Sequence, residues 1–230
     1  MYDNYKSLLN VSKIQKEIEE YIIAKTPDET EKPNIENPDE ETTIKNPYIL
    51  ELTSINPNII GWIKVNNTNI DYAVLQTKDN EHYLEYNIYE QKDENGWIFM
   101  DYENDPSVID DNRILYGHNR YLNGVMFGTL NKVLYKNWYT NPENQIIRFD
   151  TIYGSFKYKI FSIYTILTTN DYITTNYTND EERLAFYNKI KERSIYNFNV
   201  HIDANSKIIT LSTCKNGTTR LVVHGVLIEE

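Results

Sequence analysis

The sequence predicts a mainly β fold, a closed barrel or a sandwich, with a helix at its N-terminus. Three observations predict it. From residue 47 onward, short runs rich in Ile, Val, Tyr, Phe and Thr recur with turn residues between them, which is the strand signature. A hydrophobic fraction of 40% with 20 tyrosines, spread over 230 residues, allows a sizeable core and argues against global disorder. The segment before residue 26 has a different period, the helical one.

In that first segment, residues 1–25, the helix reads over 10–25. Val11, Ile14, Ile18, Tyr21 and Ile22 recur at helical spacing among charged residues, and Ser12 followed by Gln15 resembles a capping box. Its apolar stripe is expected to dock on the main domain. A membrane-surface helix fits less well, because Glu17, Glu19 and Glu20 sit on the polar face and anionic lipids disfavour them. Residues 26–46 lose all apolar periodicity and are punctuated by Pro27, Pro33 and Pro38 in an acidic, polar run, so they read as a linker.

Residues 47–230 hold the strands. The candidates are Gly61–Val65, Asn69–Gln76, Trp97–Asp101, Arg113–Tyr116, Gln145–Asp150, Phe156–Ile166, Lys207–Thr213 and Thr219–Ile228. Helical pieces are expected at Asp79–Tyr86, Val125–Tyr135 and Glu181–Ser194. The last carries Leu184, Tyr187 and Ile190 on one face, with Thr178 or Asn179 placed to cap it.

Composition excludes several functions. The formal net charge of −11 repels phosphate backbones, and no Lys/Arg block offsets it, so nucleic acid is not an expected partner. The single cysteine forbids an intrachain disulfide and a four-cysteine zinc site. No histidine pair at helical spacing and no nucleotide-binding glycine loop occurs, so no metal and no cofactor is expected. The oxygen-rich stretch Asp101, Glu103, Asn104, Asp105 lacks the glycine and terminal glutamate of a calcium loop and reads as a solvated turn. No apolar run approaches the ~20 residues that span a bilayer.

A lone cysteine is usually a small buried hydrophobe, and less often a nucleophile. Cys214 ends the apolar run Thr210-Leu211-Ser212-Thr213, and a turn with Asn216 and Gly217 follows. A strand end beside a loop places a nucleophile rigidly and leaves it reachable. Arg220 opens the next strand, where a hairpin would bring it level with Cys214. An arginine there favours a thiolate and holds an oxyanion, although alone it reads as an ordinary surface residue. Among the four histidines, His118 also follows an apolar strand and comes from a separate element, as a base for Cys214 must. His224 is the rival but sits inside a strand. His201 and His82 rank below it.

These residues resemble those of sortases. Leu211-Ser212-Thr213-Cys214 followed by Arg220 is similar to the sortase signature, and Tyr116-Gly117-His118-Asn119 to the catalytic histidine motif. Gly61-Trp62-Ile63-Lys64, Asn69-Ile70-Asp71-Tyr72, Asp79-Asn80 before Tyr83-Leu84, Ile98-Phe99-Met100-Asp101 and Met126-Phe127 resemble class B members in particular. The resemblance runs in order from Pro47 to Ile228. It implies an eight-stranded barrel with an N-terminal helix and a long helix between late strands. It also implies an enzyme on the outer face of a Gram-positive cell membrane or in its wall, its membrane anchor removed from this chain. The implied substrate is a secreted protein with a C-terminal sorting motif such as Asn-Pro-Gln-Thr-Asn, cleaved after Thr and passed to an amine of a peptidoglycan precursor. By motif matching Cys214 is the nucleophile, His118 the general acid and base, and Arg220 the oxyanion stabiliser. Asn80, Leu84, Tyr116, Tyr172, Ile173 and Ser212 match positions lining the sorting-signal groove.

The chain departs from the pattern at Ala73, where relatives usually have Pro, at Glu103, where Arg is common, and at Lys215 after the cysteine. The interval from Cys214 to Arg220 is also short; this and Lys215 border the groove and bear on the motif accepted. Two other readings stand beside the main one: a pilus-type sortase joining proteins through Lys, and a non-catalytic cell-surface β-barrel binding module with an inert Cys214.

Overall fold

The computed structural model describes residues 2–25, 44–120, 122, 124–214 and 218–229. Helix α1 spans Tyr2–Lys25 and α2 Pro47–Leu52. The strands are β1 (Ile59–Val65), β2 (Asp71–Leu75), β3 (Phe99–Met100), β4 (Asn112–Tyr116), β5 (Asn119–Arg120) and β6 (Val125–Met126). After α3 (Lys136–Tyr139) come β7 (Ile146–Thr151), β8 (Gly154–Leu167), α4 (Asp180–Glu192), β9 (Ile208–Cys214) and β10 (Thr219–Glu229). Eight strands close into a barrel in the order β1-β2-β3-β4-β9-β10-β8-β7, and β5 and β6 form a separate small sheet. The eight strands expected from the sequence are the eight staves. Closure resolves the choice between barrel and sandwich, and it leaves the barrel sheet itself without an open edge.

Two pairings position the functional end. β4 and β9 run parallel, Tyr116 beside Ser212. β9 and β10 run antiparallel, Cys214 opposite Arg220. Side chains alternate across each strand. Ile209 and Leu211 of β9 therefore join Leu115, Leu221 and Val223 in the barrel interior. Ile208 and Val222 face outward, into a second cluster with Phe161, Tyr164, Tyr172 and α4 residues Phe186, Tyr187 and Ile190.

Helix α4 begins where its sequence says it should. The Asn179 side chain accepts the Glu182 N–H at 2.9 Å. Acidic Asp180, Glu181 and Glu182 fill the first turn and Lys189 and Lys191 the last, complementing the helix dipole. Helix α1 buries Val11, Ile14 and Ile18 within the barrel's own cluster. Its start differs from expectation: the helix is already running at Ser12, so Ser12 and Gln15 form no capping box. The Gln15 amide instead donates to the Asp71 carbonyl and to Glu19. Among the described residues no helix is long and apolar enough to cross a membrane.

The two short helical expectations are corrected. Within Asp79–Tyr86 only the 3₁₀ turn His82–Leu84 forms. Within Val125–Tyr135 the first two residues are strand β6, and a 3₁₀ helix follows at Gly128–Leu134. Met126 has φ 51, which no right-handed helix accepts, and the Phe127 N–H bonds back to the His118 carbonyl at 3.1 Å. Most of the expected linker, 26–43, lies outside the described residues. At its end, the backbone N–H groups of Lys45 and Asn46 both donate to the Ile152 carbonyl.

Candidate active site

The parallel register that sets Tyr116 beside Ser212 leads, two residues further on both strands, to His118 and Cys214. The antiparallel register sets Arg220 directly across from Cys214. Neighbouring strands lie ~4.8 Å apart. Three adjacent staves thus bring the backbone positions of the three candidate residues to one end of the barrel.

His118 lies just beyond β4, half-buried, with its Nε2 2.8 Å from the Leu84 carbonyl oxygen. A carbonyl only accepts, so Nε2 carries the proton and donates, and Nδ1 is the basic nitrogen. Burial holds the His118 pKa below its ordinary 6.5; the Leu84 bond opposes this, and the charges of Arg120 and Arg220 add to it. A glycine makes the Leu84 anchor possible. Gly96 has φ +54, and a Cβ there would stand 2.2 Å from the Tyr83 carbonyl oxygen. That close approach lets the Trp97 N–H reach the same oxygen at 2.8 Å and pins the turn that presents Leu84.

A groove of about 380 Å³ opens beside His118 and Arg220. All six residues matched to the groove by resemblance line it: Asn80, Leu84, Tyr116, Tyr172, Ile173 and Ser212. On its floor the Tyr172 and Ser212 hydroxyls are hydrogen-bonded at 2.9 Å. Asp101 secures one side, its Oδ2 accepting from the Tyr116 hydroxyl at 2.7 Å and from Asn80 Nδ2 at 3.0 Å. Burial, reinforced by the Asp101 carboxylate, raises the Tyr116 pKa far above the usual phenol range, so this hydroxyl stays a donor.

The acidic stretch is therefore no solvated turn at Asp101 and Asn104, which are 2% and 4% exposed. Asn104 donates to Asp110 and to the Asn112 carbonyl, and accepts the Ile114 N–H, at 2.7, 2.9 and 2.8 Å. Polar groups this buried need partners, and for Asn104 the β4 backbone supplies two of them and the Asp110 carboxylate the third.

The groove also contains residues the sequence reading did not single out. Thr168, Thr169 and Asn170 form the far wall, and Phe99 and Thr213 contribute. The polar run Thr168–Asp171 between the longest strand and Tyr172 is a signal for the wall. The Leu84 carbonyl leaves no signal, since every residue has one.

The other histidines sit apart. His224 pairs with Thr210, four residues back along β9 from Cys214, or ~13 Å by strand rise. It is fully buried and takes part in a complete chain of bonds. The Thr210 hydroxyl donates to Asn112 Oδ1 at 2.7 Å, so His224 Nδ1–H must donate to Thr210 at 2.8 Å, and the Tyr164 hydroxyl donates to Nε2 at 2.9 Å. Burial, with a contribution from the Arg193 charge, pushes its pKa down to about 3. His82 bonds Glu90 at 2.6 Å and stacks on Tyr86. His201 is exposed, 3.9 Å from Asp203.

Comparison with known proteins agrees with this architecture. The family model of the sortase domain matches residues 63–228. Sortase B of Staphylococcus aureus is 36% identical over 187 residues, 80% of this chain and 75% of that protein. Sortase B of Listeria monocytogenes is 34% identical, over 77% of this chain and 73% of its own. The solved structure of sortase B from Bacillus anthracis in complex with AAEK2 superposes with a TM-score of 0.82 at 33% identity, covering 96% of this chain and 97% of that one. The chain therefore belongs to the sortase family, the cysteine transpeptidases that anchor proteins at the cell surface. Within the family it is of class B. The solved complex of Staphylococcus aureus sortase B with its substrate superposes with a TM-score of 0.74 at 35% identity, covering 80% of this chain and 85% of that one.

Proposed function

We propose that Cys214 is the nucleophile, His118 the general acid and base, and Arg220 the oxyanion stabiliser of a transpeptidase acting on an Asn-Pro-Gln-Thr-Asn-like signal. The observation that carries this reading is the pair of registers joining Tyr116 to Ser212 and Cys214 to Arg220. The signal lies along the groove, against Asn80, Leu84, Tyr116, Tyr172, Ile173 and Ser212. Residues 47–230 make the catalytic unit, 1–25 its docked helix and 26–46 the linker. The enzyme works at the outer face of the membrane, held by an anchor, and the acceptor is an amine of a peptidoglycan precursor.

The chemistry proceeds in two halves. His118 Nδ1 takes the thiol proton as sulfur attacks the Thr carbonyl carbon, while Nε2–H stays on the Leu84 oxygen. Arg220 faces the oxyanion, where a donor of this kind contributes roughly 3 kcal/mol. The C–N bond breaks, the leaving amine takes the proton from His118, and a thioester remains on Cys214. The incoming amine then attacks the thioester, gives its proton to His118 and releases the thiol. An unperturbed thiol has a pKa of ~8.5 and the His118 imidazole is held below its ordinary value, so the proposed pair is expected to hold little thiolate–imidazolium form at neutral pH. Slow turnover is the expected outcome, and rapid steady-state cleavage of a short sorting peptide would contradict it.

The test is intact-mass spectrometry after incubation with a library of sorting-motif peptides, alongside Cys214→Ala. A covalent peptide adduct on wild type alone is expected. No adduct with any peptide, and a thiol that resists alkylation until the protein is denatured, would overturn the assignment.

A further inference from the structure

The far wall of the groove, Thr168 to Ile173, belongs to neither strand nor helix, so its position depends on what ties it down. At its start the Thr168 N–H and hydroxyl donate to the Thr218 carbonyl at 3.1 and 3.2 Å, just before Arg220. Beyond its end, Asn112 of β4 donates its backbone N–H to the Thr175 carbonyl and its amide to the Thr174 carbonyl, at 3.0 and 2.9 Å. In the middle, Asp171 receives a forked pair of hydrogen bonds from Arg193, at 3.0 and 2.5 Å. Lys189 donates to the Asp171 carbonyl at 2.7 Å. Both cations sit at the C-terminal end of α4, where the helix dipole favours them. The Arg193 guanidinium also lies over the Tyr164 ring at 5.8 Å, and Tyr164 stands edge-on to Tyr172 at 6.5 Å. One arginine thus braces both the wall and the floor of the groove.

We propose that Asp171, Arg193 and Lys189 form a latch between α4 and the groove wall that positions Tyr172 and Ile173 for the sorting signal, setting affinity for the signal and leaving the chemical step alone. This rests on the assignment of the groove to the sorting signal. The outer ties run to β4 and to the residue leading into β10, elements the barrel already fixes. Each outer tie keeps a backbone N–H bond whatever the side chain, whereas the central tie is donated by side chains alone and a substitution can release it. A released wall must be ordered anew by each incoming signal, and that ordering cost appears as weaker binding. Cys214, His118 and Arg220 belong to other elements and keep their places. A forked arginine–carboxylate pair suits the task because its two parallel bonds fix orientation as well as distance.

The experiment measures kcat and KM for Asp171→Asn, Arg193→Gln and the conservative Asp171→Glu and Arg193→Lys, with amide hydrogen exchange of residues 168–175 in each. The expected result is a KM raised roughly tenfold in the two neutral variants, with kcat within about twofold and partial recovery in the conservative ones. Exchange across 168–175 should quicken in the neutral variants while the barrel strands stay protected. An unchanged KM, or a fall in kcat alone, overturns the latch. If wild type cleaves no sorting peptide, the proposed function fails, and exchange then decides the latch by itself. Faster exchange confined to 168–175 supports it, and unaltered exchange overturns it.

Discussion

On β9 and β10 the inward positions carry Ile209, Leu211, Leu221 and Val223, whereas the outward positions carry Thr210, Ser212 and His224, all buried. The inner face is held by packing alone. The outer face adds to the packing of Ile208 and Val222 a set of hydrogen bonds that each need a specific partner, from Tyr164 through His224 and Thr210 to Asn112, and from Tyr172 to Ser212. The two histidines near these strands show the consequence. His224 has both ring nitrogens committed inside a closed network, and burial pushes its pKa down to about 3. His118 has one nitrogen committed to the Leu84 carbonyl and stands at the mouth of the groove. The same ring is structural where its bonds are complete, and it suits the proposed chemistry where one nitrogen is left for a reacting partner.

That contrast breaks most visibly at the open end. Cys214→Ala is expected to abolish cleavage of any sorting peptide, and His118→Ala and Arg220→Ala to lower kcat/KM by roughly 10²–10⁴-fold with an unchanged melting curve. If His224→Ala were inactive but stable and His118→Ala active, the base assignment would be reversed. At the closed end, His224→Ala should keep the catalytic groups but lose about 3 kcal/mol in urea unfolding. It leaves a cavity and strips partners from the buried Tyr164 and Thr210 hydroxyls.

A pH series sharpens the same difference. The folded chain holds His224 neutral down to about 3, against 6.5 for an ordinary imidazole. Between those values the unfolded chain binds the extra proton, so the stabilisation is complete above about 6.5 and is lost as the pH falls toward 3. A slope of up to roughly 1.4 kcal/mol per pH unit is expected from denaturation midpoints across that window, and a flatter one in His224→Ala. Arg193, whose charge also lowers the pKa of this ring, stays protonated throughout. The smallest effect belongs to Tyr172→Phe, which removes the bond to Ser212 and should cost about 1 kcal/mol of stability with a modest rise in KM.

Much of this was legible in the sequence because barrel strands advertise themselves by β-branched and aromatic runs, and the eight staves stand where those runs stand. The strand-end positions of Cys214, His118 and Arg220 were legible for the same reason. The rest depends on contacts between distant residues. The strand at Val125–Met126 is two residues long, and its backbone turns on a positive φ at Met126 that composition does not reveal. The burial of Asp101 follows from Tyr116 and Asn80 folding over it. Ser12 and Gln15 have the spacing of a cap, but the helix had already begun upstream.

The parallel pairing of β4 with β9 joins residues 112–116 to residues 208–212. Contacts between such distant parts of a chain form late, because a large loop must close before they return any energy. His118 and Cys214 are therefore expected to come within reach of each other only as β4 and β9 pair. On the proposed assignment of His118 as the base for Cys214, a chain still folding has a thiol without its base, and competence to cut and join proteins is expected to arrive together with closure of the barrel.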